Sequence, residues 1–191
     1  MQNGNEPRKR TIAVQVENKF GVLSRVAGLF SARGYNIESL SVGETLDPTV
    51  SRMTLVVRGD EFVIEQVMKQ LHKLIDVIKV NDLTDDGHVE RELVLIRTNA
   101  EPQHRAEILR VGDIFRAKVV DVTSTSFVLE ATGDEGKIEA LIELLRPMGI
   151  QEVVRTGKVA ITRGPKTRAR KTEAPRKARV SDDPRVIGFA D

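Results

Sequence analysis

Gly59-Asp60-Glu61-Phe62-Val63-Ile64-Glu65 and Gly133-Asp134-Glu135-Gly136-Lys137-Ile138-Glu139 read as one piece of chain used twice. The shared Gly-Asp-Glu and Ile-Glu lie 74 positions apart, and Leu71 returns as Leu145 at the same offset. In each copy an aspartate stands where a helix cap belongs, because its carboxylate can accept from the open N–H groups of the first turn. Behind Asp60, Ile64, Val67, Met68, Leu71 and Leu74 recur at helical spacing and predict a helix to about Lys73 with one buried face. An internal repeat fixes architecture before any single element does.

Outward from the first copy, Thr11 to Glu17 alternates, with Ile12, Val14 and Val16 on one face of a strand. Asn18-Lys19-Phe20-Gly21 is a turn, Val22 to Arg33 a helix, and Gly34 its stop in a left-handed conformation. Asn36 to Leu46 and Val50 to Arg58 are strands around an Asp47-Pro48-Thr49 turn, and Val77 to Leu83 is the last strand. The order β-α-β-β-α-β is the ferredoxin-like arrangement. The second copy repeats it: strand His88–Asn99, helix Gln103–Phe115, paired strands Ala117–Thr123 and Ser126–Thr132, helix Asp134–Arg146, and strand-like Ile150–Thr156 and Lys158–Thr162. The expected fold class is α+β, with two tandem ferredoxin-like βαββαβ domains. Residues 1–9 are expected to be flexible, 10–84 to form the first domain and 85–164 the second, split near Thr84-Asp85-Asp86-Gly87. Residues 165–191 form a basic tail too poor in apolar periodicity to order itself.

Composition narrows function. Apolar residues make up 40% of the 191 and charged residues 30%, the balance of a soluble globular protein. No run of eighteen apolar residues exists, and Met1 to Arg10 has no apolar centre for a secretory signal, so the cytoplasm is the expected location. With no cysteine, thiolate metal sites, disulfides and thiol nucleophiles are excluded. His72, His88 and His104 lack metal-ligand spacing, and His88 with Glu90 reads as a solvated strand entry. No nucleophile elbow or phosphate loop is present, so neither a catalytic nor a metal site is expected. Between Gly164 and Arg185 eight Lys or Arg face three Asp or Glu, which places the basic charge in the tail. No aromatic residue is interleaved there to stack on bases, so nucleic acid is not the expected partner.

The chemistry-bearing stretch is Glu17-Asn18-Lys19-Phe20-Gly21-Val22-Leu23. A helix start offers unpaired N–H groups and a positive dipole end, which suit a carboxylate. Gly21 admits close approach, and Asn18 supplies a donor and an acceptor. An amino acid needs those features and an apolar slot, for which Val22 and Leu23 are available. Each residue alone is also ordinary turn chemistry. The second stretch runs from Gly34 to Val42, on a strand expected at a sheet edge. Ser39, Ser41 and Gly43 share a face there and permit close approach. Two copies pairing across that edge would bring Asn36 and Ile37 of one chain to the Asn18–Leu23 turn of the other. At the equivalent place the second domain has Asn99-Ala100-Glu101-Pro102. Pro102 stands for Gly21 and has no N–H, so that domain is expected to lack the site.

The run from Asn18 to Leu40, with Asp47 to Thr54, Gln70 to Leu74, His88 to Leu93 and Phe115 to Ala117, resembles the small subunits of acetolactate synthase. The resemblance covers about residues 9 to 164. It implies an N-terminal amino-acid-binding ACT domain, a C-terminal ACT-like domain, a homodimer, and valine or another branched-chain amino acid as feedback inhibitor. It also implies a non-catalytic regulatory subunit that activates a catalytic subunit carrying thiamine diphosphate, magnesium and FAD, none of them on this chain. Carried over by position, Asn18, Gly21, Leu23, Asn36 and Ile37 are the effector contacts, flanked by Lys19, Phe20 and Val22. Ser39, Ser41 and Gly43 mark the dimer edge. The rival expectation is a free-standing amino-acid sensor acting on another partner or on transcription, which a gel shift with genomic fragments separates. A small enzyme on the same fold is the other rival.

Overall fold

The computed structural model describes residues 7–85 and 87–164; the tail and the first six positions lie outside the described residues. The chain runs β1 (Arg8–Glu17), α1 (Val22–Ser31), β2 (Ile37–Glu44), β3 (Val50–Gly59), α2 (Glu61–Leu71) and β4 (Val77–Asp82). It continues as β5 (His88–Asn99), α3 (Arg105–Ile114), β6 (Lys118–Val122), β7 (Ser126–Gly133), α4 (Glu135–Leu145), a 3₁₀ turn, β8 (Ile150–Arg155) and β9 (Val159–Thr162). The strand orders are β2-β3-β1-β4 and β6-β7-β5-β8, two ferredoxin-like sheets whose strands pair antiparallel throughout the described residues.

The repeat has one structural meaning in both halves. Asp60 accepts from the N–H of Val63 at 2.8 Å and Asp134 from that of Lys137 at 2.9 Å. Each preceding glycine is needed for space: a Cβ on Gly59 would lie 2.7 Å from Val63 and one on Gly133 2.6 Å from Lys137. Ile64 and Ile138, and Leu71 and Leu145, are buried in the two respective cores. The first core joins Ile12, Val14 and Val16 of β1 to Val26 and Phe30 of α1 and to α2; the second joins Val94 and Ile96 of β5 to α3 and α4.

Two features go beyond the sequence reading. β1 starts at Arg8, earlier than its apolar alternation, because Arg8 and Lys9 pair with Gly59 and Arg58. β5 is shared: Glu92–Asn99 lies in the second sheet, while His88–Arg91 pairs with β9. That two-stranded ribbon approaches the face of the first sheet turned away from its helices. There Ala13 of β1, Leu83 and Ala160 of β9 form a small third core. Arg52 of β3 donates to the Ala160 carbonyl at 2.9 Å, and Leu83 N–H donates to the Thr11 carbonyl at 2.8 Å.

Candidate functional site

The turn between β1 and α1 is built by Gly21, whose φ of +81° reverses the chain into the helix without a Cβ penalty. No side chain caps α1, and Gly21, Leu23 and Ser24 have no acceptor for their main-chain N–H among the described residues. The helix start is therefore open to an anion. Phe20 is fully exposed and Leu23 is 44% exposed, so apolar surface borders those N–H groups. Lys19 pairs with Glu17 at 2.7 Å, and that hydrogen bond raises its pKa.

Asn18 anchors the turn to a neighbouring hairpin. Its amide nitrogen donates to Glu44 Oε1 at 3.1 Å and to the Pro48 carbonyl at 2.9 Å. Both donors are thereby used, and Oδ1 is the atom left to face a ligand. From below, Asp76, just before β4, holds Arg25 of α1 at 2.8 Å, and the Asp76 carbonyl accepts from the N–H of Glu17.

Asn36 and Ile37 lie elsewhere. β2 runs antiparallel to β3, so Ile37 pairs with Val57 while Glu44, the residue that holds Asn18, pairs with Ser51. At about 3.3 Å per residue, roughly 20 Å of strand separates the two halves of the expected site within one chain. β2 is an edge strand, as the sequence implies. Its serine side chains are engaged inside the chain. Ser41 Oγ donates to the Thr156 carbonyl at 3.1 Å, and Ser39 Oγ accepts from Lys158 N–H at 3.1 Å. Gly157, at φ +79°, permits this approach, since a Cβ there would stand 2.6 Å from Ser39 Oγ. What β2 leaves for another chain is its main-chain edge.

In the second domain the residue that precedes the helix, in the place of Gly21, is His104 (φ −99°) and not Pro102 as the sequence order suggests, and the turn is filled from within. Arg105 donates to the Ala100 carbonyl at 2.8 Å and to the Ser124 carbonyl at 2.5 Å, and Asn99 Oδ1 accepts from Gln151. A cleft of about 320 Å³ remains there, bordered by Pro102 and Thr125.

Two family models match: the AHAS small subunit-like ACT domain over residues 12–79 and the small subunit of acetolactate synthase over residues 91–164. A probable acetolactate synthase small subunit of Archaeoglobus fulgidus is 60% identical over 158 residues, which are 83% of this chain and 99% of that one. The chain belongs to the acetolactate synthase small-subunit family. The Aquifex aeolicus small subunit is 58% identical, covering 82% of each chain. The crystal structure of the small subunit from Thermotoga maritima superimposes with a TM-score of 0.75 at 40% identity, over 83% of this chain and 99% of that one. This is a family of regulatory subunits, and its two matched units fall on the two sheets. Among the described residues no helix is long and apolar enough to cross a membrane, and no group of three His, Asp or Glu side chains is placed to hold a metal.

Sequence reasoning in this small-subunit chain missed the junction between its sheets. Lys9 of β1 reaches Glu135 of α4 at 2.5 Å and Glu38 of β2 at 3.4 Å. Lys158, just before β9, reaches Glu135 at 2.8 Å and Glu90 at 3.1 Å. Hydrogen bonds from Lys158 and then Lys9 hold the Glu135 pKa down to about 2. Burial pulls the Lys158 pKa down, but its bonds to Glu135 and Glu90 outweigh that and leave it raised. Beside them Arg155 grips Glu92, which is buried, and Glu139 at 2.6 Å. The group borders a cleft of about 320 Å³ between the domains, whose lining carries Lys9, Arg155 and Lys158 against Glu38, Glu92 and Glu135. A single-chain charge count gives no sign of it, because each residue sits in an ordinary mixed-charge segment.

Proposed function

We propose that this chain is the non-catalytic regulatory subunit of an acetolactate synthase, that it activates a catalytic large subunit, and that it brings feedback inhibition by valine. The reading places thiamine diphosphate, magnesium and FAD on the catalytic subunit and asks for none of them here. It also takes the chain to act as a homodimer in the cytoplasm. One observation carries the effector site: an uncapped helix start at Gly21 to Ser24 beside the free oxygen of Asn18, with Asn36 and Ile37 at the far end of an edge strand.

Antiparallel pairing of two β2 edges resolves that separation. With the two-fold axis between Leu40 and Ser41, Ile37 of one protomer falls opposite Glu44 of its partner, the residue that holds Asn18. A zwitterion in that seam meets N–H groups with its carboxylate, asparagine oxygens with its ammonium, and Leu23 and Ile37 with its branched side chain. Lys19, Phe20 and Val22 border the same space. A ligand held by both protomers changes activity by binding one dimer geometry more tightly than another. The Arg105 clamp, with His104 in place of Gly21, favours the first domain as the amino-acid site.

The test is reconstitution. Mixed with a catalytic subunit, the chain should raise acetolactate formation, and valine should lower it again. Gly21→Asp adds a side chain at positive φ and a negative charge where the carboxylate binds. That variant should activate fully and ignore valine. Activation with undiminished valine inhibition in Gly21→Asp removes the turn from the site, and absence of activation by the unaltered chain removes the regulatory reading.

A further inference from the structure

The second sheet has an edge whose residues complement themselves. β6 pairs with β7 on one side only, and all five of its residues, Lys118-Val119-Val120-Asp121-Val122, are exposed. An open strand edge of this kind is a template for another strand. Val122 and Val119 lie opposite Phe127 and Leu129, which are buried, so both valines point to the helix side of the sheet. On that side Ile114 at the end of α3 is 67% exposed. Lys118 and Asp121 lie opposite Glu130 and Val128, the residues that alternate with the buried ones, and therefore share the open face. Residues three apart in a regular strand face opposite ways. They share a face here because the register shifts between Val119 and Asp121, leaving Val120 as the extra residue.

We propose that β6 is a homotypic pairing edge, at which two copies of this chain join their second sheets around a two-fold axis between Val119 and Val120. In that antiparallel register Lys118 of each copy stands opposite Asp121 of the other, on the same face. A lone lysine on an edge repels its own copy, whereas an aspartate three residues on turns the repulsion into two matched pairs. Neither side chain has an ion-pair partner within the chain among the described residues, so both charges are available. The valines and Ile114 would meet their counterparts on the helix side. The choice of a second copy over an unlike partner rests on this self-complementarity.

The chain contains no cysteine, so one introduced thiol reports without background. Under mild oxidation of the full chain, Val120→Cys should give disulfide-linked dimers. Val154→Cys, exposed on the opposite edge strand β8, should not. Adding Lys118→Asp to Val120→Cys should slow cross-linking at least tenfold, and adding Asp121→Lys as well should restore it. The readout uses neither valine nor a catalytic subunit, so it stands apart from the effector site. Equal cross-linking at positions 120 and 154, or no rescue by the double charge swap, overturns the proposal. Protection of the position-120 thiol from alkylation only on addition of a catalytic subunit also overturns it, and assigns the edge to that subunit.

Discussion

The two halves of this chain share a helix cap, a glycine before it and a buried leucine after it, yet they differ at the turn that leads into their first helix. In the first half that turn is built on a left-handed glycine and bordered by exposed apolar side chains. In the second, His104 in an ordinary right-handed conformation takes the glycine's place and Arg105 closes onto two carbonyls. What the duplication keeps is what the fold needs. What it varies is what a ligand would touch. A second contrast sits one turn further on: Glu61 faces solvent, while its repeat partner Glu135 joins the two sheets.

The largest test addresses the shared part. Leu71 and Leu145 are both fully buried. Replacing either with Ala should cost about 2–5 kcal/mol in urea unfolding. Because β9 and Glu135 tie the halves together, both variants should lower one common transition. Two separated transitions, each sensitive to only one variant, would show halves that stand alone. The next test addresses the difference. Asn18→Ala should weaken valine binding by roughly 1–3 kcal/mol, through an unmatched ligand group and a released hairpin. Calorimetry would read that as ~5- to 150-fold in Kd. Asn99→Ala should leave valine affinity unchanged, and an equal loss in both variants would place a ligand in the second domain too.

The smallest effect is a pH dependence. The Glu135 pKa falls from an ordinary 4.5 to about 2 because Lys158 and Lys9 bond to its charged form. Its stabilising contribution is thus complete above pH 4.5 and lost as pH falls from there toward 2. Unfolding midpoints of the unaltered chain and of Glu135→Gln should differ at neutral pH and converge across that window. Glu61→Gln should show no such convergence, and parallel curves for Glu135→Gln would remove the carboxylate from the junction.

The fold was legible because its determinants are local and occur twice. Cap, glycine and apolar spacing lie within a dozen residues of each other, and each sheet follows from the order of its elements. The turn at Asn18 to Leu23 was legible for the same reason. Three features were not. Periodicity marks β5 as a strand but cannot say that its first four residues take a different partner from the rest. Ser39 and Ser41 read as small residues for a close edge, but nothing near them announces Thr156 and Lys158, more than a hundred positions away. Asn18 reads as offering a ligand both a donor and an acceptor, whereas its donors are spent on Glu44 and Pro48 and only the acceptor remains. In each case the deciding contact is distant in sequence, where pattern carries no information.

The return of β9 onto the first sheet sets a condition on how the molecule is made. Ala13 leaves the ribosome early, yet the strand that shields it, centred on Ala160, is translated some hundred and fifty codons later. During synthesis the N-terminal half must wait with its rear surface wet and closes only when β9 arrives. A released chain ending at residue 157, after β8 and before β9, should accordingly be cut by protease within its first half. A chain ending at residue 164, which carries β9, should be protected.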